Sequence, residues 1–172
     1  MTQTDGLRLR PPLPADEVEA VRAHAELAAD GFVFLFDWPS PLGWPGYLDR
    51  LRRQRCGLDL EPGRVPATFL LAFAGAALVG RVSVRHALNA FLENEGGHIG
   101  YGVRPPYRGR GYATEMLRQA LVVARAEGVD RVLVTTDDAN AASQAVITRC
   151  GGEYCDTRVD SAGQPVRRYW ID

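Results

Sequence analysis

No lysine occurs anywhere in the chain; all 20 of its Lys+Arg positions are arginine. A P-loop nucleotide-binding site, a protein kinase and a pyridoxal or other Schiff-base enzyme are thereby excluded, because each needs a lysine amine. Cysteine is scarce as well. Cys56, Cys150 and Cys155 form no CxxC pair and leave one thiol over in any disulfide scheme. His24, His86 and His98 are scattered, so no zinc-ligand spacing appears and no metal is expected. Reduced thiols in a cytoplasmic protein are the expectation. The longest apolar run, Phe69 to Val79, is too short to span a bilayer, and MTQTDGLRLRPP has no apolar signal core. An excess of charge is missing too. With 20 Lys+Arg against 21 Asp+Glu the formal net charge is -1, so no global field draws nucleic acid or an anionic membrane.

What is present fits one domain spanning 1–172, with 46% hydrophobic and 24% charged residues. Leu7 to Arg10 alternates like a short strand before a run of prolines. Ala15 to Asp30 places Val18, Val21, Ala25 and Ala28 at helical spacing, and Gly31 closes that helix. Residues 32–46, aromatic and interrupted by three prolines, read as an irregular loop holding Trp38 and Trp44. A short arginine-rich helix, Tyr47 to Arg55, follows. Thr68 to Ala74 and Leu78 to Arg85 read as a hairpin. A polar loop over 86–97 carries Glu93 and Glu95, and His98 to Val103 is a further strand. Tyr112 to Glu127 is an amphipathic helix, Arg131 to Thr136 a buried strand, and Asn140 caps a helix running to Arg149. Glu153 to Val159 and Val166 to Ile171 close the chain as a hairpin. The order gives an α/β (α+β) domain, a β-meander followed by helix, strand, helix and hairpin.

The sharpest feature is Arg108-Gly-Arg-Gly-Tyr-Ala113, set between a strand and an amphipathic helix. Two glycines let backbone N–H groups converge at a helix N-terminus, which makes a phosphate cradle. Arg104, Arg108 and Arg110 add charge. A dinucleotide fingerprint is excluded, because Gly100-Tyr-Gly102-Val-Arg-Pro105 has proline where the third glycine belongs.

HIGYGVRPPYRGRGYATEMLRQAL resembles motif A of the GNAT N-acetyltransferases, Arg/Gln-x-x-Gly-x-Gly/Ala, with Arg108, Gly111 and Ala113 filling the pattern. DDANAASQAVITRCGG resembles the family's motif B. Gly80–Leu92, Gly96–Pro105 and Arg168–Ile171 are similar to a branch of small bacterial members carrying GRxSxRHxLNxFL, GGHIGYGxRP and RYWI. The resemblance implies a mixed central sheet, splayed where acetyl-CoA binds and flanked by helices. It implies acetyl-CoA as co-substrate, with the pyrophosphate on Arg108, Gly109, Arg110, Gly111, Tyr112 and Ala113, near Arg104. The pantetheine arm would lie beside Val103, with Asn140 and Ser143 in contact.

Many members place a tyrosine seven positions after the motif-B Asn to protonate the leaving thiolate; here that position is Ile147. Tyr154 and Tyr101 are substitutes by proximity in sequence only, water being the alternative, and Tyr101 reads chiefly as a core residue. His98 is the candidate base, where many relatives carry a carboxylate, and an imidazole can accept an amine proton near neutrality. Asp37 and Trp38 of the aromatic loop, with Glu93 and Asp137, are candidate contacts for the acceptor. The expected partner is a small-molecule primary amine, an aminoglycoside-like sugar amine being one version. Protein amines and a non-catalytic acyl-CoA sensor are the competing readings. Neither nucleic acid nor a membrane is expected as a partner, and a homodimer through the C-terminal strands is compatible with the fold.

Overall fold

The computed structural model describes residues 6–172. The N-terminal stretch read as free of a signal core lies partly outside them, at residues 1–5. Strand β1 (Leu7–Arg10) leads through a 3-10 turn at Pro14–Asp16 into α1 (Glu17–Ala28) and α2 (Gly43–Arg55). The hairpin β2 (Ala67–Ala74) and β3 (Ala77–Arg85) follows, then β4 (Ile99–Val103), α3 (Tyr112–Ala126), β5 (Val132–Asp137) and α4 (Ala141–Arg149). Strands β6 (Glu153–Val159) and β7 (Pro165–Ile171) complete the domain. The α/β reading holds.

The strands form two antiparallel sheets, ordered β1-β2-β3-β4 and β5-β7-β6. Helices α1 and α2 pack on one face of the first sheet, around Phe34, Trp44, Tyr47 and Phe69. The other face, with α3 and the second sheet, encloses Val82, Met116, Leu117, Val132 and Ile147. Sandwiching explains why β2 reads as a continuous apolar run: Thr68 to Phe73 are buried on both faces. In α3, Met116, Leu117, Ala120, Leu121 and Ala124 recur at helical spacing and all lie buried, each large side chain contributing about 1.5–3 kcal/mol. Helix α3 sits so close to β3 that a Cβ at Gly80 would fall 2.9 Å from Met116 Cε and 2.4 Å from the Gly102 carbonyl.

Two local readings are corrected. Helix α2 begins at Gly43, taking Trp44 and Pro45 out of the expected loop, because proline is tolerated in a first helical turn. Trp44 stacks on Tyr47 and donates its indole N–H to the Leu13 carbonyl at 3.1 Å. The polar 86–97 segment contains a short π-helix, Leu92–Gly96. The three cysteines are free thiols, two exposed and Cys150 half-buried.

Candidate active site

Among the described residues, hydrogen bonds join the two sheets at one residue pair. The His98 N–H donates to the Leu133 carbonyl at 2.7 Å, and the Leu133 N–H donates back to His98 Nδ1 at 2.9 Å. Gly97 makes this junction possible: its φ is +59°, and a Cβ there would lie 2.6 Å from the Leu133 carbonyl oxygen. Beyond the junction β4 and β5 diverge, and the gap opens into a cleft of about 720 Å³.

The walls of the cleft are main chain and small side chains. Register pairs Gly100 with Ser83 and Gly102 with Arg81, while His98 and Arg104 bond to β3 on either side. Alternation along an antiparallel strand therefore turns the main-chain groups of Tyr101 and Val103 into the gap. Arg108 Nε donates to the Val103 carbonyl at 3.0 Å, which leaves the Val103 N–H and both Tyr101 groups facing the cleft. Below them Gly109 and Gly111 adopt φ of +73° and +83°, left-handed conformations that favour glycine. Gly111 is the N-cap of α3, and no side chain caps that helix. Its first N–H groups, from Tyr112 to Thr114, are thus unsatisfied donors beside the cleft, reinforced by the positive end of the helix. The far wall is α4, with Ala142, Ser143, Ala145 and Val146. Asn140 caps α4, its Oδ1 accepting from the Ser143 N–H at 3.0 Å.

One side chain bridges the gap. Tyr101 Oη lies 2.8 Å from Ser143 Oγ, tying β4 to α4, and burial pushes the phenol up to about 12. The carboxylates lining the cleft are Asp30, paired with Arg108 at 2.7 Å, and Asp137, which makes no ion pair among the described residues.

Several expected residues stand elsewhere. Arg104 is not available to a phosphate, because it is buried and donates to both Glu26 oxygens at 2.8 Å, to Glu19 and to the Leu78 carbonyl. Arg110 is outside the cleft lining, over the Tyr107 ring. Tyr154 faces solvent on β6, bonded to Thr157 at 2.9 Å. Trp38 packs edge-on against Trp44 and Tyr47, anchoring its loop, and Asp37 is held by Arg64 at 2.9 Å. The Glu93 side chain is exposed outside the cleft. Ile147 is fully buried beneath Gly152, so the position lacking tyrosine is core. Tyr101, which reads from sequence chiefly as a core residue, stands on the free edge of β4, and its odd-numbered place on that strand is the available signal.

His98 does not fit a base. A backbone N–H can only donate, so Nδ1 is the acceptor and the neutral ring carries its proton at Nε2. Accepting a second proton would cost the sheet junction one of its two hydrogen bonds. Burial, with Arg85 nearby, lowers the ring to about 4. Folding therefore favours the neutral form, a stabilisation complete above the unfolded value near 6.5 and lost as pH falls toward 4. Denaturant titrations at pH 6.5 and 4.5 should show wild type losing on the order of 2 kcal/mol relative to His98→Asn. The asparagine amide oxygen can still accept from Leu133, and equal losses in both proteins would refute this role.

A family model, Acetyltransferase (GNAT) domain, matches residues 7–153. The chain belongs to the GNAT acetyltransferase family. A mycothiol acetyltransferase from Thermobispora bispora is 33% identical over 143 residues, which cover 81% of this chain. The chain spans 44% of that relative's length. Among solved structures, the ribosomal-protein-S5-alanine acetyltransferase of Vibrio fischeri superposes with a TM-score of 0.69 at 14% identity, over 96% of this chain and 92% of that one. A Salmonella typhimurium protein described as an acetyltransferase, solved with its cofactor acetyl-CoA, gives 0.64 at 15% identity, over 97% and 94%.

The cleft fits the acetyl-CoA that the family resemblance implies. The uncapped N–H groups at the start of α3 suit a pyrophosphate, and the free β4 edge suits an amide-bearing arm. No group of three or more His, Cys, Asp or Glu able to hold a metal occurs among the described residues, and none of their helices is long and apolar enough to cross a membrane.

Proposed function

We propose that the protein transfers the acetyl group of acetyl-CoA directly to a primary amine of a small molecule in the cytoplasm. The observation that carries this reading is the convergence of a phosphate cradle, an unpaired strand edge and a buried phenol in one cleft. Gly109, Gly111, Tyr112 and Ala113 hold the phosphates on main-chain N–H groups, with Arg108 beside them. Tyr101 and Val103 align the arm along β4, and Asn140 and Ser143 bound it on α4. Bound there, the co-substrate supplies an acyl group on a good leaving thiolate.

In the transfer a C–N bond forms as the C–S bond breaks, the amine loses one proton and the sulfur gains one. Tyr101 takes the part that Ile147 cannot. Ser143 can donate to the Tyr101 oxygen, which frees the phenolic O–H to point at the leaving sulfur. Asp137 attracts the amine and passes its proton to water. No cysteine lines the cleft among the described residues, which favours direct transfer over a covalent relay. Tyr101 also favours catalysis over the sensor reading.

The test is thiol release from acetyl-CoA across amino acids, polyamines, aminoglycosides and short peptides. Turnover confined to one small-molecule class is expected. Turnover on peptides alone, or on none while coenzyme A still binds, would contradict the proposal.

A further inference from the structure

Resting on that reading, we infer that the acceptor carries a carboxylate, bound by Arg85 and Ser83 in a second cavity on the opposite face of the β3–β4 ribbon. This cavity, of about 300 Å³, lies between α2, the 57–66 segment and the sheet. Phe69, Leu51, Leu60 and Phe91 give it apolar walls, while Ser83, Arg85, Gln54 and Arg64 supply its polar and charged side chains. No acidic residue lines it.

The charge arrangement points to an anion. Arg85 is largely buried and its NH1 donates to the Gly96 and Gly97 carbonyls at 2.8 and 3.1 Å. Among the described residues it makes no salt bridge, and none of them bonds to its Nε or NH2. Next to it Arg81 is 3% exposed, packs over the rings of Phe32 and Phe36, and likewise meets only carbonyls, those of Val33 and Gly100. Burial and the neighbouring Arg85 lower Arg81 to about 9, which is the expected result for clustered cations without an anion. Arg64 at the rim is already paired with Asp37. Buried charge is ordinarily compensated, so a carboxylate arriving here meets an incompletely neutralised site.

The cavity is also close to the chemistry. Gly100, the neighbour of Tyr101 on β4, is close to Arg85: a Cβ there would lie 3.8 Å from both terminal nitrogens of that arginine. An amine whose carboxylate sits on Arg85 and Ser83, with an apolar body against Phe69 and Leu51, is the class of acceptor the cavity suits. The site lacks the carboxylates that a polyamine or an aminoglycoside would need.

The experiment compares matched acceptors, L-phenylalanine and L-leucine against their amides and the corresponding decarboxylated amines. Wild type should favour the carboxylates at least tenfold in kcat/KM. Arg85→Gln and Ser83→Ala should shrink that ratio through KM, Arg85→Lys should restore part of it, and the exposed Arg52→Gln should leave it unchanged. A wild-type ratio near one, or a ratio unaltered in folded Arg85→Gln, overturns the inference. Calorimetry with N-acetyl-L-phenylalanine and its amide separates this claim from the transfer reaction. If no amine is turned over, the functional reading fails. Carboxylate-selective binding weakened at least tenfold in Arg85→Gln would still uphold the site, and binding of neither compound would reject it.

Discussion

Replacing Gly111 with glutamate is expected to weaken coenzyme A binding by about a hundredfold or more. Two effects combine. A side chain at φ +83° is strained by roughly 1–2 kcal/mol, which loosens the first turn of α3. The new carboxylate also stands among the unsatisfied N–H groups that would otherwise meet phosphate, and at a few ångströms two like charges repel by about 2–4 kcal/mol near a protein surface. Gly111→Ala separates the contributions, since it keeps the strain and adds no charge; its loss should be about tenfold or less. Isothermal titration with coenzyme A measures both. Wild-type affinity in Gly111→Glu would remove the phosphates from this loop.

Tyr101→Phe is the second large effect, an expected fall in kcat of about 10²-fold with little change in KM for acetyl-CoA. The phenyl ring keeps the apolar contacts and loses only the hydroxyl, so stability should drop by about 1 kcal/mol with the Ser143 bond. Ser143→Ala removes the same bond but leaves the phenol, and should retain most of the activity. Because burial holds the Tyr101 hydroxyl protonated to about 12, its ionisation should cause no loss of kcat below about pH 10. Equal losses in Tyr101→Phe and Ser143→Ala would make the bridge a structural tie and leave protonation of the thiolate to water.

The elements bearing a strong period were legible in the sequence. Helix α3 announces itself through Met116, Leu117, Ala120, Leu121 and Ala124, and its glycine-rich start predicts the cradle, because both signals are local. Asn140 was legible for the same reason: an N-cap needs only its own helix. Charge partners were not. Arg104 reads as a phosphate ligand beside Arg108, yet its guanidinium is committed to Glu26 and Glu19 on α1, some eighty residues earlier in the chain. Only packing of α1 against β3 and β4 creates that trio.

His98 shows a different limit. A histidine on the strand entering a cofactor site has the right pKa in isolation, but tertiary pairing with Leu133 fixes its tautomer and lowers its basicity. Trp38 and Asp37 illustrate the same point for the acceptor loop, where edge-on ring packing and the Arg64 pair turn apparent ligands into anchors. Tyr101 gained its role only when the register with β3 placed it on the free edge of the strand. Arg85 could not be singled out among 20 arginines until the absence of an acidic partner became visible.

If acetyl-CoA lies in the opening between β4 and β5, amide hydrogen exchange with and without coenzyme A registers it along β4 and the start of α3. Protection should rise at Tyr101, Val103 and the 109–114 segment, with the amides of β6 and of the β6–β7 turn unchanged. Protection confined to other segments, or no change at saturating ligand, would contradict it.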